Sequence, residues 1–529
     1  MSISSNRTLM ALASENDPRG IREILNRSKR TTLERTIAYL SPGWALKRAA
    51  KREVLSYATS YKGADVTTMR TDWLTFGSGS TQTPGGFELG TLRERSRDAN
   101  RNDPVASGAS ATMCENIVGS GLRPQSRIRA ELIGISPERA SMLQMQAEAA
   151  FERWKPYAGA DNRMSFDELQ FLAIGKIIED GETIAIPTWA SETWRPFGRC
   201  VQLLESERLA QPANRRDKKI ENGIRFGPRG QPLTYYIRKA NQLTEYSPIR
   251  ARDDNGRPKI LHVFRAKRPG QQRGIPYFAP VLTYFKDLAD YLEAEIVAAR
   301  VAACLAVFIT RQDPYGATGL ESDSSSTVQE LSPGLISRLG VGEGINVVEP
   351  KRPGDSFNSF VESVLRLIGV SLGLPYELLV KDFSKTNYSS ARAALLEGRR
   401  MFKTWRNWFA AKFCQPIWDL VIEEAYLRGE FDAPDFYERQ AEYTRANWIG
   451  GGWGWVDPVR EVEASRKAID YGLSTLAKEV AAQGDDWEEN LDQLSREREA
   501  IDQRGLDIYH SAQGGAQGND NGSPPDESE

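Results

Sequence analysis

The chain has 529 residues, of which 40% are apolar and 26% charged, and its formal net charge is −2. One hydrophobic core rarely serves a chain of this length, so we expect a globular protein with two to four domains or sub-domains. The near-neutral charge excludes a uniformly basic nucleic-acid binder, but it leaves local cationic patches open.

The first part of the chain is basic and is followed by a linker. Residues 19–53 contain the clusters "NRSKR" and "ALKRAAKRE", which are typical of a basic arm that touches polyanions and equally of a solvated helical face. Residues 76–86, "FGSGSTQTPGG", have the composition of a flexible linker. We predict a soluble intracellular product, because there is no signal peptide and the apolar run 301–310 is too short to cross a bilayer.

Between about residues 60 and 265 the pattern predicts a mixed α+β domain. A helix over about 91–118 is interrupted before Pro104, and Ser136 is placed to cap a further helix. From residue 182 onward, "ETIAIPTW", "RCVQLLE", "LTYYIRKAN" and "KILHVFRA" predict strands. In "IIEDGETIAI" we expect Gly181 to turn a helix into a strand with solvated acids; metal-binding carboxylates are the alternative.

The second half is predicted to be mainly helical, and its first helix is long. It begins near Pro276 and continues for about thirty residues, with apolar side chains over most of its surface. Its polar positions make one stripe, formed by Lys286, Asp290, Glu293 and Arg300. A helix that is apolar on several sides is expected to pack against more than one neighbour.

Further helices follow a loop-rich segment over 310–356, in which we expect up to two short strands. They are predicted over 356–372, over about 389–428, and two or three times within 455–510, where Ser474 is a candidate cap. The tail 511–529 is predicted to be disordered and acidic.

The loop between the second and third of these helices carries the segment "KDFSKTNYSSARAALL", residues 381–396. Three interpretations stay open: a mobile enzyme lid, a connector that caps a helix through Asn387 or Ser389, and a loop presented to nucleic acid.

Little catalytic chemistry is predicted. The sequence has no G-x-x-x-x-G-K-[ST] phosphate loop and no G-x-S-x-G elbow, and its only histidines are His262 and His510. Four scattered cysteines are expected to be reduced and buried: Cys114, Cys200, Cys304 and Cys414. We therefore predict no cofactor, no metal centre and no enzyme.

Several stretches together resemble the lambda-type family of tailed-bacteriophage portal proteins. They are "RDANRNDPVASGASATMCENIVGSGLRPQS", "DGETIAI", "LLESERLAQP", "NGIRFGPRGQPLTYYI", "HVFRAKRPGQQRGIPYFAPVL", "LGLPYELLVKDFSKTNYSSARAALLEGRR" and "DWEENLDQLSRERE". They run in order from about residue 91 to 500. Each stretch is weak alone, and their combination is specific.

The resemblance implies a mainly helical α+β portal-type fold with wing, stem, clip and crown regions that assembles into a ring. Its regions on this chain are a basic N-terminal arm (1–60), wing (61–265), first stem helix (266–306), clip (307–354), second stem helix (355–375), tunnel loop (376–389), wing spine and return (390–454), crown (455–510) and acidic tail (511–529).

The resemblance also implies a function. Such proteins form a dodecameric ring at one capsid vertex, the head–tail connector through which the genome is packaged and ejected. The implied partners are other copies of the chain, double-stranded DNA bound without sequence preference, the terminase large subunit at the clip, major capsid or scaffold protein at the wing, and a head–tail adaptor. No membrane is implied. The expected location is the virion, and the host cytoplasm during assembly.

Candidate site residues follow from this resemblance. Lys381, Lys385, Asn387 and Tyr388 would touch DNA phosphates from the tunnel loop. Asp290 and Glu293 would face the channel and repel DNA, or would pair with cations of a neighbouring subunit. Two other classes stay open: a carboxylate- or metal-dependent nucleic-acid enzyme built on "IIEDGE", and a soluble helical adaptor. A prophage or gene-transfer-agent origin is as compatible with the sequence as a lytic phage.

Overall fold

The structure is a computed structural model that describes residues 86–212, 220–240, 242, 245–303, 307–311, 343–347, 357–454 and 457–506. The predicted N-terminal arm, the linker up to residue 85, most of the predicted clip and the acidic tail lie outside the described residues.

Two helices, α1 (Gly86–Asn102) and α2 (Pro104–Ile117), meet at the break that the sequence predicts. The Asp103 carboxylate accepts hydrogen bonds from the backbone N–H of Val105 (2.9 Å) and Ala106 (2.8 Å), and Pro104 occupies the first helical position. This position suits proline because its missing N–H would have no partner there.

The next segment contains β1 (Arg123–Ser126), α3 (Ala130–Ile133), α4 (Pro137–Trp154), a short 3-10 turn and α5 (Phe166–Asp180). Ser136 caps α4 as predicted, because its hydroxyl accepts from the Arg139 N–H at 3.3 Å. Gly181 ends α5 with φ +88°, and an added Cβ would lie 2.2 Å from the backbone of Ile275. Glycine is therefore required, and the predicted helix-to-strand turn is confirmed.

All four predicted strands are present in antiparallel sheets. The strands β2 (Glu182–Trp189) and β3 (Arg199–Leu204) come first, and then β4 (Ile220–Glu221), β5 (Ile224–Phe226), β6 (Pro232–Arg238) and β7 (Tyr246–Arg250) form a four-stranded meander. The strand β8 (Leu261–Phe264) returns to β2, which gives the order β3–β2–β8.

The long helix predicted from Pro276 is shorter than expected. It forms α6 (Leu282–Ala303, 22 residues). Two hydrogen-bonded turns precede this helix, one from Pro276 to Ala279 and one from Phe278 to Val281. Pro280 explains the difference, because it has no N–H for a helical hydrogen bond and disfavours helical geometry in the residue before it. The strands β9 (Val307–Arg311) and β10 (Glu343–Val347) pair, as expected for the loop-rich segment.

Four helical segments follow: α7 (Phe357–Leu372), α8 (Tyr376–Val380), α9 (Tyr388–Phe409) and α10 (Gln415–Leu427). A π turn at Ala410–Cys414 joins α9 to α10, so the longest predicted helix is continuous but contains one wider turn.

The last elements are α11 (Gln440–Tyr443), β11 (Ala446–Ile449), α12 (Pro458–Asp470), α13 (Leu476–Gln483) and α14 (Trp487–Arg504). The strand β11 pairs with β1. Thr475 caps α13, so the prediction of Ser474 was wrong; the backbone N–H of Ser474 instead bonds the Ala468 carbonyl to close the end of α12.

One large aromatic core joins regions that are far apart in sequence. Phe151 of α4 lies 5.5 Å from Phe166 of α5 and 5.1 Å from Trp418 of α10, measured between ring centroids. Residues of the predicted wing (61–265) and of the predicted spine (390–454) therefore share this core. Three of the cysteines are free and buried as predicted, namely Cys114, Cys200 and Cys414. Within the described ranges, no helix has the length and apolar character to cross a membrane.

Candidate nucleic-acid interface

The open part of the predicted tunnel loop is residues 381–387. Its expected range, 376–389, contains α8 at one end and the first residues of α9 at the other. Lys381 ends α8 in a left-handed conformation with φ +58°. This conformation stops the helix and directs the chain away from it, so an exposed loop stands between two helical supports.

The loop is ordered by its own short-range hydrogen bonds. Asp382 accepts a hydrogen bond from the Ser384 N–H at 2.9 Å. Hydrogen bonds from the Ser384 hydroxyl and from this N–H lower the pKa of Asp382. The Thr386 hydroxyl donates to the Phe383 carbonyl at 3.0 Å. Since Lys381 and Lys385 carry two positive charges against one on Asp382, the loop is modestly cationic at neutral pH.

Asn387 caps α9, which confirms the capping interpretation of the loop. Its side-chain oxygen accepts from the Ser390 N–H at 2.8 Å and from the Ser389 hydroxyl at 2.9 Å. The cap satisfies one of the backbone donors at the start of the helix and so fixes where the loop ends. Capping is compatible with a further contact to a ligand, because Asn387 is exposed.

Two weaker contacts hold the loop to its neighbours. The Lys385 ammonium lies 3.4 Å from Glu362 on α7, and the Tyr388 hydroxyl lies 3.4 Å from Asp457, which caps α12. Lys385 is 68% and Tyr388 53% exposed, so these contacts contribute little energy. The structure thus places Lys381, Lys385, Asn387 and Tyr388 together on one exposed segment, and DNA contact by them stays a prediction.

The predicted polar stripe lies on the exposed side of α6. Lys286 donates to Asp290 at 2.6 Å, a hydrogen bond that raises the pKa of Lys286, and Glu293 is exposed one turn further on. On another side of α6, Tyr291 packs on Phe357 and Phe360 of α7, with ring centroids 5.7 and 4.9 Å apart. Asp290 already has a partner within the chain, and both interpretations of the stripe stay predictions.

The acids in "IIEDGE" are not solvated as the sequence suggested, because α1 covers them. The Asp180 side chain is fully buried and receives two hydrogen bonds of 2.7 Å from Arg97. Glu179 is half-buried and pairs with Lys176 at 2.7 Å and Asn100 at 3.1 Å. Across the part of the chain that the structure describes, no group of three or more His, Cys, Asp or Glu side chains could hold a metal ion.

Glu182 is the centre of a buried charge cluster that sequence analysis missed. Its carboxylate, fully buried, lies 2.8 Å from Arg93 and 2.5 Å from Arg273, and 3.0 Å from His262. Burial alone would raise the pKa of Glu182, but Arg273 and Arg93 hold it well below its ordinary value. The one indication available in the sequence was an acid at the start of a predicted strand, directly before the run "TIAI".

This cluster fixes the start of the segment that leads to α6. The N–H of Gly274 donates to Glu182 at 2.7 Å, and Arg273 also donates to the carbonyls of Ser206 and Leu209 at 2.9 Å. The segment before the first predicted stem helix is therefore tied to β2 and to the loop after β3.

Comparison with solved structures found similar chains at low identity. One belongs to the neck of a native gene transfer agent particle computed with C12 symmetry, with 15% identity and a TM-score of 0.38, covering 70% of this chain and 97% of that one. Another belongs to the virion of a native gene transfer agent particle, with 14% identity and a TM-score of 0.38, covering 68% and 94%.

Comparison of sequences was more specific. The portal protein of Escherichia phage N15 is 27% identical over 76% of this chain and 83% of its own length. Portal protein B of Escherichia phage lambda is 26% identical, with 76% and 82% covered. A family model described as phage portal protein, lambda family, matches residues 68–406, which is more than half of the chain. The resemblance seen in the sequence is thereby confirmed: the chain belongs to the lambda family of phage portal proteins.

Proposed function

We propose that the chain forms a twelve-subunit ring at one capsid vertex, the conduit through which a terminase packages DNA and through which DNA leaves. The observation that carries this proposal is membership of the portal family over residues 68–406. It is supported by an exposed, modestly cationic loop held between α7 and α9.

The regions of the ring follow the same proposal. Residues 61–265 would form the wing, 266–306 and 355–375 the stem, 307–354 the clip, 376–389 the tunnel loop, 390–454 the spine and 455–510 the crown. The clip would receive the terminase large subunit, and the wing would meet capsid or scaffold protein. A head–tail adaptor would complete the connector.

The role of the loop would be to touch the DNA backbone without recognising bases. Lysine ammonium groups contact phosphate as point charges that do not depend on one geometry, so such contacts form and break as the duplex advances. Lys385 is well suited because its bond to Glu362 is long and exposed. Asn387 and Tyr388 could add hydrogen bonds to phosphate or sugar.

The proposed role is structural and not catalytic. A nuclease centred on Glu179 and Asp180 gains no support from the geometry, because Lys176 and Arg97 already occupy these carboxylates. Incubating the purified chain with duplex DNA and Mg²⁺ tests this alternative. Cleavage that disappears in Glu179→Ala or Asp180→Ala would establish it.

The test of the ring is the native mass of the purified chain, measured together with negative-stain images. We expect closed rings of about twelve subunits with a central hole, since heterologous contacts that close on themselves produce rings. A compact dimer under every condition would contradict the proposal.

The test of the loop is packaging by particles that carry Lys381→Ala and Lys385→Ala together. We expect intact rings but shorter packaged DNA or fewer filled particles. The matched control is Lys403→Ala with Lys412→Ala, which removes two exposed lysines elsewhere on the chain. Normal DNA length and particle yield in the loop variant would contradict a role for these lysines.

A further inference from the structure

A cleft lined by arginines opens beside the β1–β11 pair. It has a volume of about 510 Å³ and lies between the residues that follow β1, the start of β11 and a side chain of α4. Its polar lining residues are Arg127, Arg129, Gln144, Arg445 and Asn447, and we call it the arginine cleft.

The arginine cleft has more positive than negative charge. Arg129 forms a two-point bond with Glu442, at 2.8 and 2.5 Å, and Arg127 donates to the neutral amide of Gln125. Arg445 is exposed, and its guanidinium has no hydrogen bond or ion pair within the described residues. Glu488 of α14 also attracts Arg127 electrostatically, so three guanidinium groups meet two carboxylates, Glu442 and Glu488, at the cleft.

The backbone brings two of these arginines together. The N–H of Arg127 donates to the Arg445 carbonyl at 2.8 Å, directly beyond the register pair of Ser126 with Ala446. Like charges that face each other across paired strands destabilise the pairing. An anion held between Arg127 and Arg445 would relieve this repulsion. Guanidinium groups present paired N–H donors that match the two oxygens of a carboxylate or a phosphate.

One segment of this chain has matching chemistry. Residues 511–529, the acidic tail, contain no Lys, Arg or His and carry four acids: Asp520, Asp526, Glu527 and Glu529. Glycine, serine and asparagine make up much of the rest, a composition that favours weak, reversible binding through charge.

The tail is also within reach. The helix α14 begins beside the cleft, because Gln125 of β1 donates to Asp486, the residue that caps this helix. Along its 18 residues the helix rises only about 27 Å. The residues after Leu506 could extend roughly 75 Å, more than enough to return.

We propose that the arginine cleft binds the acidic tail 511–529 of this same chain, with tail carboxylates at Arg445 and Arg127. Bound there, the tail would cover a cationic cleft that could otherwise hold the phosphates of DNA. This proposal does not depend on the twelve-subunit ring, since it concerns two parts of one polypeptide.

The experiment measures binding of a fluorescent peptide of sequence 511–529 by anisotropy. The protein is the full-length chain with Asp520→Asn, Asp526→Asn, Glu527→Gln and Glu529→Gln, so that its own tail does not compete. We expect saturable binding that weakens as salt rises, and about tenfold weaker binding when Arg445→Glu is added. Adding Lys412→Glu instead makes the same charge change at another exposed site and should leave the affinity within about twofold.

Two outcomes would overturn the proposal. One is equal peptide affinity with and without Arg445→Glu while the thermal midpoint of that variant is unchanged. The other is no peptide binding, together with Arg445-dependent binding of a 20-base-pair duplex, which would make nucleic acid the occupant. Hydrogen exchange adds a check without the peptide: neutralising the tail acids of the full-length chain should accelerate exchange at residues 127–129 and 445–447.

Discussion

Charged side chains in the interior of this protein are held by partners distant in sequence. Glu182 is separated from Arg93 by 89 positions and from Arg273 by 91, yet both guanidinium groups reach its carboxylate. A buried ion pair contributes little net stability when complete, but removing one partner leaves an uncompensated charge. The cluster therefore fixes how α1, β2 and the segment before α6 fit together.

Glu182→Gln should destabilise the folded chain by about 3 kcal/mol, because it leaves Arg93 and Arg273 without their shared carboxylate. Urea unfolding at pH 7 measures the free-energy change. The control is Glu152→Gln, whose carboxylate is 55% exposed and 3.8 Å from Lys155, and which should change stability by less than about 0.5 kcal/mol. Equal stability of the two variants would contradict the role of the cluster.

Because the pKa of Glu182 is depressed in the folded state, its contribution has a defined pH dependence. The contribution is fully present above the unfolded-state value of 4.5 and is lost as pH falls through the lower, folded-state pKa. The difference between the parent and Glu182→Gln should therefore shrink only in acid.

Glu148 behaves in the opposite way. Its pKa is raised to about 7. Burial is the largest cause, and the neighbouring acids Asp486, Glu488 and Glu489 also raise the pKa, whereas a hydrogen bond from the Ser126 N–H lowers it. Arg123 and Lys155 line the same cavity as Glu148. Between pH 4.5 and about 7 the unfolded chain loses this proton while the folded chain keeps it, so stability falls as pH rises through that window.

Glu148→Gln should accordingly be more stable than the parent at pH 8, by about 3 kcal/mol, and equally stable at pH 4. The glutamine oxygen can still accept from Ser126, so the variant removes the charge and keeps the hydrogen bond. Urea unfolding at both pH values measures the effect. A difference that does not change with pH would show that the pKa of Glu148 is the same in the folded and the unfolded chain.

At the scale of elements, buried Arg406 connects α9 to the end of α2. It donates to the carbonyls of Ile117 (2.9 Å), Asn116 (3.0 Å) and Gly451 (3.2 Å), and its guanidinium lies 4.4 Å from the centre of the Trp453 ring. Burial lowers the pKa of Arg406 to about 10. The carbonyls at the end of a helix carry partial negative charge, which suits a buried cation there.

The start of α9 depends on its cap, and the predicted DNA-contacting loop depends on α9. Asn387→Ala removes the acceptor for Ser390 and should cost about 1 kcal/mol locally. Amide exchange in the first turn of α9 should then be about fivefold faster.

Two variants separate capping from other effects in that measurement. Asn387→Asp keeps a capping oxygen and should exchange like the parent, while Asn407→Ala removes an exposed asparagine within the same helix and should change little. First-turn exchange that stays slow in Asn387→Ala would mean that packing, and not the cap, holds the loop end.

At the scale of the whole molecule, α7 is apolar on two sides. One side is buried through Leu365, Ile368 and Leu372. The other is exposed and carries Phe360 (49%), Leu367 (54%) and Val370 (80%), which share a face at helical spacing. An apolar face of this kind suits contact with a neighbouring subunit in the proposed ring.

Val370→Asp should therefore yield a folded chain that does not close into rings, because it places a charge in an apolar contact between subunits. Native mass measurement and circular dichroism together separate failed assembly from failed folding. Asn358→Asp introduces the same charge at an exposed position on the opposite side of α7 from Leu367, and should assemble. Rings of normal mass from Val370→Asp would remove α7 from the interface.

The sequence by itself determined the features that act over a few residues, and the family. Caps at Asp103, Ser136 and Asn387 and the turn at Gly181 follow from local donors, acceptors and backbone geometry. Even here two local details were missed, since Pro280 delays the start of α6 and Thr475 rather than Ser474 caps α13. The quoted motifs identified the portal family because their order along the chain is itself specific.

Only the tertiary structure decided which charges are buried and what surrounds them. Asp180 and Glu182 differ from solvated acids because α1 and the Arg273 segment cover them, and the arginine cleft exists because residue 127 lies beside residue 445. The core that residues of the predicted wing share with residues of the predicted spine has the same origin. Hydrogen bonds within a turn depend on residues that are neighbours in sequence. Burial depends on residues that are neighbours in space, and only long-range packing determines which residues those are.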